Sequence, residues 1–122
     1  MVYVSRSLSL AALEMLVHLP SSAPLTFSTF RLSFDDGLVE FYEKYLPDDW
    51  RTQPPGPDTQ TIGDGWVREA RSAILAVPST IIPQETNFLL NPAHEDFSRI
   101  GIAPAEPFAF DPRMLRASPS NR

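Results

Sequence analysis

Apolar and polar positions along this chain change period several times, and each change predicts an element. Residues 2–5, "VYVS", read as a short strand at the very start. The run "LAALEMLVHL", residues 10–19, is apolar at nearly every position, which predicts a helix buried nearly all round. Ser7 is placed to cap this helix and Pro20 to stop it near Leu19. Residues 26–34, "TFSTFRLSF", alternate as one strand, with Phe30, Leu32 and Phe34 on one side and Phe27 and Thr29 on the other. Asp35, Asp36 and Gly37 predict a turn. From there to Asp49 carboxylates outnumber the single Lys44, the pattern of a solvated acidic edge.

Residues 47–63 are rich in Pro and Gly and read as a long loop. Residues 61–71 suit a second helix with Trp66 and Ala70 on one face. "SAILAVPS", 72–79, has the unbroken apolar run of a buried strand ended by Pro78, and residues 79–82 extend it past a bend. "TNFLL", 86–90, is a further strand, broken by Asn91-Pro92. A helical turn over 94–99, a last strand over 106–110 and a short helix over 112–115 complete the pattern, with 117–122 as a frayed tail. Short strands mixed with a few helices predict a single α+β or mixed α/β domain built on a small mixed sheet.

Composition narrows the chemistry. A chain of 122 residues with 43% apolar and 20% charged side chains is one globular domain. The net charge of −5 argues against a general nucleic-acid binder. With no cysteine, disulfides and thiolate metal sites are excluded, and two histidines leave a metal site without a usual ligand set. No apolar run reaches membrane-spanning length and no basic leader follows Met1, so a cytoplasmic protein is expected.

One residue is out of place in this pattern. Glu14 interrupts the apolar helix and shares a stripe with Leu10 and His18, at i, i+4 and i+8. An unpaired buried carboxylate is costly, so Glu14 is either satisfied by neighbouring donors or held in a partly dry pocket. In such a pocket a carboxylate can stabilise positive charge developing at a sugar carbon during glycosidic cleavage. His18, near the helix end, fits a packed or capping role. Ser79 follows a strand end, where hydroxyls close turns, and no G-x-S-x-G surrounds it as a hydrolase nucleophile would require. Asn87 and Asn91 flank an apolar strand, and Asn91 before proline is a turn former. Gly63-Asp64-Gly65 ahead of a helix could approach an anion.

Taken in order, "VYVSRSLSLAALEMLVHL", "LPDDW", "TQTIGDGWVREARSAILAVPSTIIPQETNFLLNPAHEDF" and "EPFAFDPRML" closely resemble the RES domain, a family named for its Arg, Glu and Ser positions. The resemblance covers residues 1–116 and implies an ADP-ribosyltransferase-like fold. It implies the toxin half of a bacterial type II toxin–antitoxin pair, partnered by an Xre-type antitoxin and able to form a homodimer. It further implies NAD as the substrate, with no prosthetic group. The nicotinamide–ribose bond would be cleaved by hydrolysis, by phosphorolysis or by ADP-ribosyl transfer. Carried over position by position, Glu14 matches the family's acidic residue and Ser79 its serine. Tyr3 matches an aromatic that lines the NAD pocket, and His18 and Asn87 fall in well-matched segments. The family arginine lies upstream of the aromatic in a "GRWN"-like stretch with no match here, so an N-terminally incomplete domain is expected. Arg6 and Arg31 lack the right context to replace it. A chain without that arginine could also be an inactive remnant that only binds an antitoxin or dimerises.

Overall fold

The computed structural model describes residues 1–20, 22, 26–41 and 57–115. Residues 47–56 of the loop expected over 47–63, and the tail expected over 117–122, lie outside the described residues. Among the described residues, eight strands and two α-helices make a small α+β domain with a mixed sheet.

Strand β1 (Val2–Ser5) leads into helix α1 (Leu8–Leu16). Ser7 caps α1 as expected: its backbone is extended and its Oγ accepts from the Leu10 amide at 3.1 Å. The helix stops at Leu16, short of Leu19, where turns take over and the His18 amide donates to the Met15 carbonyl at 3.0 Å. Nor is it buried all round. Leu10 is fully buried, Glu14 half-buried and His18 exposed, so the stripe leaves the core as the helix proceeds. Leu8, Leu13 and Met15 lie exposed on its outer surface.

The run 26–34 is two strands rather than one. β2 (Thr26–Thr29) pairs with β8 (Glu106–Ala109), and β3 (Leu32–Ser33) pairs with β7 (Gly101–Ile102). The chain changes partner at Phe30-Arg31, which leaves Phe30 exposed while Phe27 packs edge-on against the buried Phe110, ring centroids 5.7 Å apart. The turn at Asp35–Gly37 becomes a 3-10 turn over Asp36–Leu38 that buries Leu38. It feeds β4 (Val39–Phe41), a strand inside what reads from sequence as an acidic edge.

Helix α2 (Pro57–Glu69) begins four residues earlier than the pattern suggests, with Pro57 at its first position, where the missing N–H costs nothing. Gly63-Asp64-Gly65 thus lies within the helix, where backbone N–H groups serve the helix itself and none is available to an anion. Ala70 does not share a helical face with Trp66: it has φ 51°, the left-handed turn that ends α2.

Strands β5 (Ile74–Pro78) and β6 (Thr86–Leu90) are antiparallel neighbours at the centre of the sheet, in the order β1-β6-β5-β4, with β4 parallel to β5. Residues 79–82 do not prolong β5; they begin the turn into β6, where the Ser79 amide donates to the Glu85 carbonyl at 2.8 Å. Alternation then sorts side chains to two faces. On one face Val4, Val39, Ile74, Ala76, Phe88 and Leu90 pack with Leu38, Ile100 and Phe34. On the other, Leu75 and Leu89 pack under Trp66 of α2, whose indole N–H donates to Ser72 Oγ at 2.7 Å.

Candidate functional site

The second face is where polar side chains enter the centre of the sheet. All of Asn87–Leu90 is buried, and Asn87, two residues before Leu89, projects on the same side as Leu89. Antiparallel pairing of β1 with β6 sets Ser5 opposite Asn87 and Tyr3 opposite Leu89. Helix α1 lies against β1 and brings Glu14 to this end of the sheet. Three of the expected residues, Glu14, Ser79 and Asn87, come together there although they are far apart in sequence.

Their hydrogen bonds have a definite direction. Glu14 Oε2 accepts from the Ser79 hydroxyl at 2.7 Å and, in a short contact, from the Asn87 side-chain amide Nδ2. Ser79 Oγ in turn accepts from the amides of Ile81 at 3.2 Å and Ile82 at 3.0 Å. A hydroxyl has one proton and two lone pairs, so these three bonds use the whole capacity of Ser79, which is itself fully buried. With both lone pairs of its Oγ taken by amides and its side chain fully buried, Ser79 in this arrangement has none to offer an electrophile. Among the described residues no group donates to Oε1, the second oxygen of this half-buried carboxylate.

Tyr3 is 68% exposed and overlooks the same face. Desolvation of its hydroxyl, and then the nearby negative charge of Glu14, hold the phenol above its ordinary pKa. Tyr3 is therefore a neutral ring that can offer a flat surface and a hydroxyl donor at physiological pH. His18 stands apart: it is exposed beyond the end of α1, and among the described residues no hydrogen bond ties it to Glu14, Ser79 or Asn87. Asn91 is the turn former its sequence suggests, with Oδ1 accepting from the Ala93 amide at 3.1 Å.

Arg6 lies over the ring of Phe88, its guanidinium 5.7 Å from the centroid, on the side of the sheet opposite to Asn87. Arg71 binds Glu40 and Glu69. Among the described residues no group of His, Asp or Glu side chains is arranged to hold a metal ion, and no helix is long and apolar enough to cross a membrane.

Ser5 was not singled out by sequence. Its hydroxyl donates to Asn87 Oδ1 at 2.7 Å. A serine closing a four-residue strand carries no local signal, and its partner lies 82 positions away. Only the β1–β6 register exposes the pairing.

Comparison with known proteins places this chain in a family. The RES domain model matches residues 1–111. The "Toxin Res" of Yersinia enterocolitica is 38% identical over 117 residues, which span 93% of this chain and 76% of that protein. The "Prs ADP-ribosylating toxin" of a Sphingobium species is 38% identical over 120 residues, 94% of this chain and 74% of that protein. A third similar protein, the "Toxin Res" of Photorhabdus laumondii, is 36% identical over 119 residues, with 95% and 76% covered. A family match over most of the length, with relatives aligned along nearly all of the chain, leads to one conclusion: this chain belongs to the RES domain family.

Proposed function

We propose that this protein is a RES-family toxin that degrades NAD at the nicotinamide–ribose bond. The observation that carries the reading is the asymmetry of Glu14, whose Oε2 is held by Ser79 and Asn87 while Oε1 receives no donor among the described residues. When the bond from ribose C1′ to the nicotinamide nitrogen breaks, the electron pair leaves with nicotinamide and positive charge collects on the sugar. A carboxylate already fixed by hydrogen bonds stabilises that charge without having to reorganise during the reaction. Water, phosphate or a protein side chain then adds at C1′ and releases a proton. The name of the Sphingobium relative supports keeping ADP-ribosyl transfer among these outcomes. In this reading Tyr3 lines the NAD pocket, and an Xre-type antitoxin is the protein partner that restrains the activity.

A second reading is a chain that binds its antitoxin or dimerises without consuming NAD. It is favoured by the position of Arg6, whose guanidinium lies over Phe88, on the side of the sheet opposite to the Asn87 that meets Glu14. One experiment separates the two. The purified protein is incubated with NAD and nicotinamide release is followed, alongside Glu14→Gln. The first reading expects release by the native protein and a loss of about a hundredfold or more in Glu14→Gln, with thermal melting close to native. Absence of release from the folded native protein would favour the second reading. Equal activity in Glu14→Gln would remove Glu14 from the chemistry.

A further inference from the structure

We propose that Ser5 is a positioning residue that fixes the orientation of the Asn87 amide and, through it, the carboxylate of Glu14. The inference rests on the NAD-cleaving reading for its consequence in activity, but its structural content stands on hydrogen bonding alone.

An asparagine side chain can sit either way round, because its oxygen and nitrogen differ little in size. The two ends are not equivalent at this site. An ionised carboxylate only accepts, so the end of Asn87 that meets Glu14 must be the Nδ2 donor. That leaves Oδ1 facing β1, where the only complementary partner is a donor. Ser5 supplies it, at 2.7 Å, from the residue directly opposite in the ladder. The order of donors is then fixed from end to end: Ser5 hydroxyl to Asn87 Oδ1, Asn87 Nδ2 to Glu14 Oε2, and Ser79 hydroxyl to the same Oε2. Both branches converge on Oε2, which sets the orientation of the carboxylate.

Without the Ser5 hydroxyl, Asn87 Oδ1 loses its donor while the residue remains 4% exposed, so water cannot readily replace it. The amide then gains by rotating away from its present position. Glu14 keeps only the Ser79 branch, and its carboxylate is free to turn. The strand register is a matter of backbone pairing and does not depend on this hydroxyl.

The test uses Ser5→Ala, Ser5→Val and Ser5→Thr in the whole protein, with two independent measurements. The first is the pair of Asn87 side-chain amide signals in a ¹H–¹⁵N spectrum, assigned with Asn87→Asp. Threonine and valine have the same shape and both suit a strand, so they differ in the hydroxyl alone. The expected result is that Ser5→Thr keeps the native Asn87 signals, whereas Ser5→Val and Ser5→Ala shift and broaden them. Native signals in Ser5→Val or Ser5→Ala overturn the proposal; should Ser5→Ala fail to fold, the Thr–Val pair decides it. The second measurement is nicotinamide release, where kcat is expected to fall about tenfold in Val and Ala with KM changed by less than about twofold, and to recover in Thr. If the native protein releases no nicotinamide, the NAD reading fails, while the amide signals still judge Ser5 on their own.

Discussion

The two faces of the central sheet are built from the same strands yet follow different rules. One face is built on an apolar cluster: Val4, Ile74, Ala76, Phe88 and Leu90 meet Leu38, Ile100 and Phe34, and Arg6 lies over the Phe88 ring. The other is apolar only under Trp66, and toward its end Ser5 and Asn87 replace the hydrophobic residues that alternation would otherwise supply. Because neighbouring residues of a strand point to opposite sides, Val4 and Phe88 secure the fold while Ser5 and Asn87, one position away, hold a carboxylate. The difference teaches that in a domain this small the site need not be carved out of the core. It occupies the opposite parity of the same strands.

The largest expected effect tests whether the two faces are separable. Phe88 is 7% exposed, meets Phe34 edge-on at 5.4 Å and carries Arg6 over its ring. Phe88→Ala is expected to cost about 3–5 kcal/mol, from lost burial plus the cavity left behind. Urea unfolding should show that loss, while on the NAD-cleaving reading nicotinamide release per folded molecule stays within about twofold of native. If turnover falls in proportion to stability, the faces are mechanically coupled and the comparison breaks down.

Ser79 should behave differently, because it belongs to the turn and to the site at once. Ser79→Ala removes the donor to Glu14 and also strips the Ile81 and Ile82 amides of their acceptor. Leaving such groups unsatisfied in this half-buried turn is expected to cost about 1–3 kcal/mol. Turnover should fall as well, since Oε2 then keeps only Asn87. No covalent serine adduct should be detectable by mass spectrometry of the native protein during turnover. A glycosyl-serine at this position would reassign Ser79 as a nucleophile.

How much of this was legible in the sequence follows from the range of the interactions. Local signals read correctly: Ser7 as a cap, Pro78 as a strand end, Asn91 as a turn, and the strand over 86–90. Glu14 stood out because a charge in an apolar helix is a local anomaly. What escaped depended on partners. The run 26–34 alternates as one strand should, but its two halves find different neighbours, and nothing near Phe30 signals the change. The start of α2 was hidden among prolines and glycines, although Pro57 is well suited to a first helical turn. β4 was masked by the acids around it, since a parallel strand beside β5 is recognisable only once β5 is in place. Ser5 is the limiting case, an ordinary residue whose role exists only through the register with β6. The exposed outer surface of α1 shows the opposite error: apolar composition overstated burial, because Leu8, Leu13 and Met15 face outward.

The smallest expected effect sharpens the comparison at the rim of the site. Tyr3 points to the polar face, and its phenol is held above its ordinary value first by desolvation and second by Glu14. Folding therefore favours the protonated phenol. The stability this contributes is complete below the unfolded value of 10.0 and is lost as pH rises through the higher folded value. Because the ring is largely exposed, solvent screens the effect and only a slight loss at alkaline pH is expected from it. Tyrosinate absorbance, taken as the difference between the protein and Tyr3→Phe, isolates this residue from Tyr42 and Tyr45. In Glu14→Gln the Tyr3 titration should move toward lower pH without reaching the ordinary value, because desolvation remains when the charge is gone. No movement in Glu14→Gln would mean that the carboxylate does not reach Tyr3 in solution. The site would then end at Asn87, and Tyr3 would belong to the exposed surface along with Val2.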